Sequence, residues 1–157
     1  MNAHELFFQT IQTGNVEYLR AQLLNNPHLV NSEDARGFTP LIFATYFDKK
    51  DIAKVLLEHK ANVDGRDATG NTALIGVSFK GNLKLIELLL NNGANIDAQN
   101  NKGTTALSFA TQYNQVEVVK LLIARDADIT IIDQDNKIAL DHAKEKELNE
   151  IISLLEN

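Results

Sequence analysis

The sequence repeats itself at a fixed interval of 33 residues. A shift of 33 places Gly37–Leu41 on Gly70–Leu74, then on Gly103–Leu107, and then on the weaker copy Asn136–Leu140. A second motif follows the same interval, since Ala61-Asn62-Val63-Asp64 falls on Ala94-Asn95-Ile96-Asp97 and then on Ala127-Asp128-Ile129-Thr130. Two separate motifs with one period predict a stack of structural repeats.

Residues 67–99 show how one unit is expected to fold. Thr72 stands where a helix N-cap belongs, and the apolar residues Ala73, Leu74 and Val77 follow it at helical spacing. Gly81 then interrupts the helix. A second helix is predicted from about Asn82 to Asn91, and the side chains expected to be buried there are Leu85, Ile86, Leu89 and Leu90.

The turn between the two helices is predicted to recur in the other units. Asp48 and Asn114 occupy the position of Gly81, and both residue types tolerate the left-handed conformation. Neither helix of a unit is long enough to be stable alone. Each therefore needs neighbouring copies to cover its apolar stripe, which predicts stacking of the units.

The unit resembles the ankyrin repeat, whose core reads G-x-T-P-L-H-x-A-A, then a glycine turn, E-V-V-x-L-L-L and G-A-D-V-N. The likeness covers essentially the whole chain and is strongest from residue 34 to residue 133. It implies an all-α fold, an ankyrin-repeat solenoid of stacked helix-turn-helix units with projecting β-hairpin or turn tips. The expected units of a single domain, residues 1–157, are 1–33, 34–66, 67–99, 100–132 and 133–157.

The first and last units are expected to act as caps, which would make the domain self-contained. Their apolar residues are expected to close the core. At the N-terminal end these are Leu6, Phe7, Ile11, Val16, Leu19, Leu23 and Leu24. At the C-terminal end they are Leu140, Ala143, Leu148, Ile151, Ile152 and Leu155.

Two departures from the ankyrin pattern recur along the chain. The family's histidine after the leucine is replaced by Ile42, Ile75, Ser108 and Asp141. The fold is expected to survive, because one hydrogen bond contributes only about 1 kcal/mol net. In the loop after the second helix, Lys60 and Asp126 replace the glycine represented by Gly93, at the cost of mild strain.

Composition excludes several classes of function. The chain has no cysteine, so it has no disulfide, thiolate metal site or cysteine nucleophile, and a reducing cytoplasm is expected. A net charge of −6 argues against a nucleic-acid binder. The N-terminus lacks the pattern of a signal peptide and no apolar run could span a bilayer, so no membrane association is expected. The chain is expected to be a monomer.

No enzymatic motif occurs in the sequence, so no catalytic residue, cofactor or metal is predicted. The four histidines are not spaced as metal ligands, and the segment His142–Glu145 is interpreted as a solvated helix face. Asp64 and Asp97 recur after the second helix, where they are expected to accept backbone hydrogen bonds in their own turn.

The resemblance implies a non-catalytic scaffold that binds a protein partner through a concave groove and the turn tips. In this family the groove is formed by first-helix residues just before the turn. The positions carried over as partner-binding are Arg36, Phe38, Tyr46, Phe47, Arg66, Thr69, Asn71, Phe79, Lys80, Lys102, Gln112 and Tyr113. Asn101, Thr104 and the pair Glu145 and Lys146 occupy equivalent places.

Two interpretations of the aromatic residues remain open. Aromatic and arginine side chains concentrate binding energy at interfaces, but Phe47 and Phe79 could instead seal neighbouring first helices. The basic residues Arg36, Arg66, Lys80 and Lys102 indicate a partner with an acidic or mixed patch. The alternatives are a dedicated inhibitor of one enzyme or toxin and, more remotely, an enzyme with an unrecognised groove site.

Overall fold

The computed structural model describes all 157 residues, which form ten α-helices and no β-strand. The helices are α1 (Ala3–Thr13), α2 (Val16–Asn25), α3 (Pro40–Tyr46), α4 (Lys50–Glu58), α5 (Ala73–Lys80), α6 (Leu83–Asn91), α7 (Ala106–Gln112), α8 (Val116–Ala124), α9 (Ala139–Glu145) and α10 (Asn149–Glu156). A 3-10 helix, Pro27–Asn31, follows α2. The all-α class is confirmed, and the projecting tips are turns rather than β-hairpins.

The helices pack as consecutive pairs that stack into two layers. The first helices of the pairs, α1, α3, α5, α7 and α9, form one layer in which each contacts the next. The second helices, α2, α4, α6, α8 and α10, form the other layer. A single hydrophobic core runs between the layers from Phe7 in α1 to Leu155 in α10. No pair could bury its apolar stripe without its neighbours.

Threonine side chains begin three of the first helices, as the sequence predicts for Thr72. Each threonine Oγ1 accepts a hydrogen bond from the backbone N–H three residues later. The pairs are Thr39 with Ile42 at 3.1 Å, Thr72 with Ile75 at 3.3 Å, and Thr105 with Ser108 at 3.1 Å. In α9 the direction is reversed, because the carboxylate of Asp141 accepts from the N–H of Ile138 at 2.9 Å.

The turns within the helix pairs have the predicted left-handed backbone. Gly81 has φ 83°, and its equivalents Asp48 and Asn114 have φ 56° and 54°. The exit loops behave similarly, since Lys60 and Asp126 adopt φ 69° and 65° where Gly93 has 87°. The left-handed conformation costs a residue with a Cβ about 1–2 kcal/mol, so these substitutions carry the expected strain.

One expected core residue is wrong. Leu24 is 76% exposed, although Phe7, Ile11, Leu19 and Leu23 are buried as predicted. Leu19 and Leu23 are four residues apart and share one face of α2, whereas the next position turns outward. None of the ten helices is both long enough and apolar enough to cross a bilayer.

The recurrent acidic residues at the exits are structural, but their partners differ from those expected. Asp64 Oδ1 accepts the backbone N–H of Asn95 at 2.9 Å, and Asp97 Oδ1 accepts that of Asp128 at 2.8 Å. Each bond therefore links one unit to the next rather than closing its own turn. Sequence reasoning considered one unit at a time and could not see the neighbour that stacking brings within reach.

Candidate functional site

Each turn tip is folded by one side chain at its start. In all four tips an Oδ1 atom accepts two backbone N–H groups, from the residues two and four positions later, so the chain reverses tightly. The acceptors are Asp34, Asp67, Asn100 and Asp133. This column projects the tips beyond the layer of first helices and leaves a recess between the two, which is called the groove below.

The groove contains two adjoining depressions. The first, the Gly76 slot, has a volume of about 200 Å³ and is mainly apolar. Its walls include Phe38, Tyr46, Asp67, Gly76, Phe79 and Lys80. The second, the polar depression, is bounded by residues that include Thr69, Asn101, Lys102, Gln112, Tyr113 and Lys146. Asn71 and Phe109 line both depressions, so the two form one continuous recess.

Three predicted partner-binding rings are exposed along the groove. Tyr46, Phe79 and Tyr113 retain 52%, 36% and 54% of their accessible surface. The ring centroid of Phe79 lies 5.0 Å from that of Tyr113, in an edge-to-face arrangement. A row of exposed rings on a folded chain is typical of an interaction surface.

The other two predicted rings, Phe38 and Phe47, are half-buried against the core. Phe47 packs on the buried Phe43 with ring centroids 4.8 Å apart, as expected for a ring that seals the stack. Phe38 lies 6.2 Å from Tyr46 and supports that ring at one wall of the Gly76 slot. The two aromatic roles left open by the sequence therefore divide between different residues.

Arg36 lies at a tip but is held by its own unit. Its Nη2 donates to Oδ2 of Asp34 at 3.0 Å, and its guanidinium carbon lies 4.7 Å from the ring centre of Phe38. Burial opposes ionisation of Asp34, but hydrogen bonds from the Phe38 N–H and from Arg36 prevail and hold its pKa below the usual value. Over half of the Arg36 side chain remains exposed, so it offers a paired cation to the surface.

The two predicted lysines differ in their surroundings. Lys80 Nζ donates to the backbone carbonyl of Tyr46 and lies 3.3 Å from the carboxylate of Asp48, so its charge is compensated. The ammonium group of Lys102 has no hydrogen-bond or ion-pair partner in the chain and is exposed in the polar depression. Beside it, Gln112 Nε2 donates to the hydroxyl of Ser108 at 3.2 Å.

Arg66 is placed differently from the groove residues. Its Nη1 donates to the carbonyl oxygens of Gly70, at 3.0 Å, and Gln99. Gln99 occupies the same position in the next unit and makes the same two kinds of bond, with its Nε2 donating to Gly103 and Ile132. Arg66 lines neither depression of the groove. The side chain bridges neighbouring tips, which is a structural role that the sequence did not reveal.

Thr69 and Asn71 also have structural partners. The N–H and hydroxyl of Thr69 both donate to Oδ1 of Asp67, at 2.9 and 2.8 Å. The backbone N–H of Asn71 donates to the same atom, while its side-chain oxygen accepts from Nδ2 of Asn100 at 2.9 Å. Both residues line the groove, so they can shape it without being free to rearrange.

The interpretation of His142–Glu145 as a solvated helix face is wrong for His142. Its side chain is only 11% exposed, and its Nε2 lies 2.6 Å from Oδ2 of Asp133. Burial opposes ionisation of Asp133, but the hydrogen bonds from His142 and from the Lys137 and Asp135 N–H groups hold its pKa below the usual value. Because the tip folds over α9, residues nine positions apart meet.

Sequence reasoning overlooked three residues of the groove, namely Asp67, Gly76 and Phe109. A signal for two of them was present at the interval of 33, because Gly76 stands between Phe43 and Phe109 in the same column. A glycine in a column of rings predicts a gap. No group of three or more histidine, aspartate or glutamate side chains is arranged to hold a metal ion.

A comparison with protein families gives a match over nearly the whole chain. The family model for ankyrin repeats (three copies) matches residues 7–100 and again residues 74–157. The two matches overlap and together extend from α1 to the last residue of the sequence.

Proposed function

The chain belongs to the ankyrin-repeat family, and from this premise we propose that it binds a protein partner through the groove. Ankyrin repeats are generally protein–protein interaction modules, and the family is typically non-catalytic. The observation that carries the proposal is the row of exposed rings formed by Tyr46, Phe79 and Tyr113. Aromatic side chains are the commonest centres of binding energy at protein interfaces.

The groove offers a partner a rigid surface. The tips are closed by paired backbone hydrogen bonds, and neighbouring tips are joined by Arg66 and Gln99. Little conformational entropy is therefore lost when a partner docks, and a preorganised surface binds more tightly than a mobile one of equal area.

The charges of the groove favour a partner with a mixed patch. Arg36 and Lys80 are compensated by Asp34 and Asp48, which leaves Lys102 as the cation with no partner in the chain. An acidic residue of the partner would pair with Lys102 in the polar depression. The rim contributes mainly to the rate of association, so binding should weaken as the salt concentration rises.

Affinity capture with matched variants tests the proposal. The groove variant carries Tyr46→Ala, Phe79→Ala and Tyr113→Ala. The control carries Tyr18→Ala, Leu24→Ala and Leu83→Ala, which remove exposed apolar side chains from the second-helix layer. The proposal expects the groove variant, shown to be folded by circular dichroism, to lose a partner that the wild type and the control retain.

Two results of this experiment would count against the groove. A folded groove variant that retains every partner would contradict it, and so would loss of the partner only in the control variant. If the partner is an enzyme or toxin, its activity with and without the chain distinguishes an inhibitor from a scaffold.

A further inference from the structure

One position of the repeat lacks the ring that its counterparts carry. At the interval of 33 residues, the first helices place Phe43, Gly76, Phe109 and His142 in one column. Gly76 lies inside α5, and a Cβ built there would meet no atom within 4 Å. A glycine inside a helix weakens it. The missing ring is what opens the Gly76 slot between its aromatic neighbours.

A second column supplies the charge of this slot. Asp34, Asp67 and Asp133 each use Oδ1 to close their own tip. In two of them Oδ2 accepts from a planar nitrogen group, the guanidinium of Arg36 at 3.0 Å or the imidazole of His142 at 2.6 Å. Oδ2 of Asp67 has no hydrogen-bond partner in the chain, and Asp67 lines the slot.

We propose that the Gly76 slot binds an arginine side chain of the protein partner, whose guanidinium donates to Oδ2 of Asp67 and stacks against the rings of the slot. The inference rests on the proposed function and adds the chemistry of one contact. The second unit already contains this arrangement, since Arg36 bonds to Asp34 and lies 4.7 and 5.5 Å from the ring centres of Phe38 and Phe43.

The charges in the slot favour a cation. Lys80 is the slot's own cation, and its ammonium group is held by the carbonyl of Tyr46 and the carboxylate of Asp48, 5.2 Å from the Tyr46 ring centre. Asp67 is therefore the uncompensated charge in the slot. A guanidinium satisfies it better than an ammonium, because its planar fork matches a carboxylate and its face stacks on aromatic rings.

Short capped peptides probe this contact on the intact chain. The probes are acetyl-Gly-Arg-Gly-amide, the same peptide with citrulline, which is neutral and of the same shape, and those with lysine or phenylalanine. Binding is followed by the nuclear magnetic resonance signals of backbone amides lining the slot. The arginine peptide should bind saturably with a dissociation constant on the order of 1 mM, and citrulline about tenfold more weakly, because it lacks the charge-assisted bond.

Two variants locate the binding. Asp67→Asn removes the charge but keeps the turn, since Asn100 closes the next tip with the same bonds. Gly76→Phe fills the slot with the side chain that α3 and α7 carry at this position. Both variants should abolish the preference for arginine over citrulline, and thermal unfolding verifies that they fold. Should Gly76→Phe fail to fold, Asp67→Asn alone decides.

The inference is overturned if the arginine peptide does not saturate, if citrulline binds equally, or if the phenylalanine peptide binds more tightly. It is also overturned if folded Asp67→Asn retains the preference. These outcomes are separable from failure of the proposed function. Loss of the partner from the groove variant together with any of them would leave the groove assigned and the arginine contact refuted.

Discussion

Nε2 of His142 lies 2.6 Å from Oδ2 of Asp133, joining the last turn tip to helix α9. The hydrogen bonds to this carboxylate lower its pKa from the ordinary value of 3.8 in spite of burial. A group whose pKa is depressed in the folded state stabilises the fold above its unfolded pKa, and this stability is lost as the pH falls through the folded pKa.

Asp133→Asn should therefore reduce the dependence of stability on acid. We expect the free energy of unfolding of the wild type to fall more steeply below about pH 4 than that of the variant. The variant keeps the turn, because Asn100 closes its own tip with an amide oxygen. Urea unfolding between pH 6 and pH 3 measures the difference, and identical slopes for the two proteins would refute the assignment.

Gly76→Ala should raise the free energy of unfolding by about 1 kcal/mol, because alanine favours the helix interior and its Cβ projects into empty space. Gly70→Ala is the contrasting change. Gly70 has φ 80°, and a Cβ there would lie 2.4 Å from Oδ1 of Asn101, so that variant should lose more than about 1 kcal/mol. Chemical denaturation checks both, and a destabilised Gly76→Ala variant would show that the slot is not open.

Lys60→Gly should stabilise the fold by up to about 1 kcal/mol, because Lys60 adopts φ 69° where Gly93 stands in the next unit. The reciprocal change Gly93→Lys should destabilise it by a similar amount, since nothing lies within 4 Å of its added Cβ and only the backbone is strained. Thermal unfolding of the two variants provides the test. Shifts of the same sign would contradict the backbone explanation.

Arg66→Gln should leave stability nearly unchanged, because Gln99 makes the same pair of bonds one unit later. Arg66→Ala removes the bridge between the tips and should lower the free energy of unfolding by about 1 kcal/mol. Equilibrium unfolding of both variants measures this effect. If Arg66→Gln were as unstable as Arg66→Ala, the charge rather than the bridging bonds would be responsible.

Much of the fold was predictable because the repeat constrains local structure. The Thr72 cap, the left-handed turn at Gly81 and its counterparts Asp48 and Asn114 depend on residues within a few positions of each other. The interval of 33 residues then carried these features to the other units. Local hydrogen bonding and backbone preference were sufficient for this part.

The contacts that sequence reasoning missed link a tip to a helix or to the next unit. Arg66 reaches the carbonyl of Gln99, and His142 reaches Asp133, only because stacking and the fold of the tip bring them together. The Gly76 slot is a different case. Its opening could have been inferred from the glycine in a column of rings, but its walls depend on how the flanking rings pack.

The central claim is that the groove contacts a protein partner, and site-specific photocrosslinking tests it most directly. The photoreactive amino acid p-benzoylphenylalanine is placed at Tyr113 in the groove or at Tyr18 in the second-helix layer, side chains that are 54% and 44% exposed. After illumination with the captured partner, the account predicts a covalent adduct from position 113 and none from position 18. An adduct from position 18 alone would contradict it.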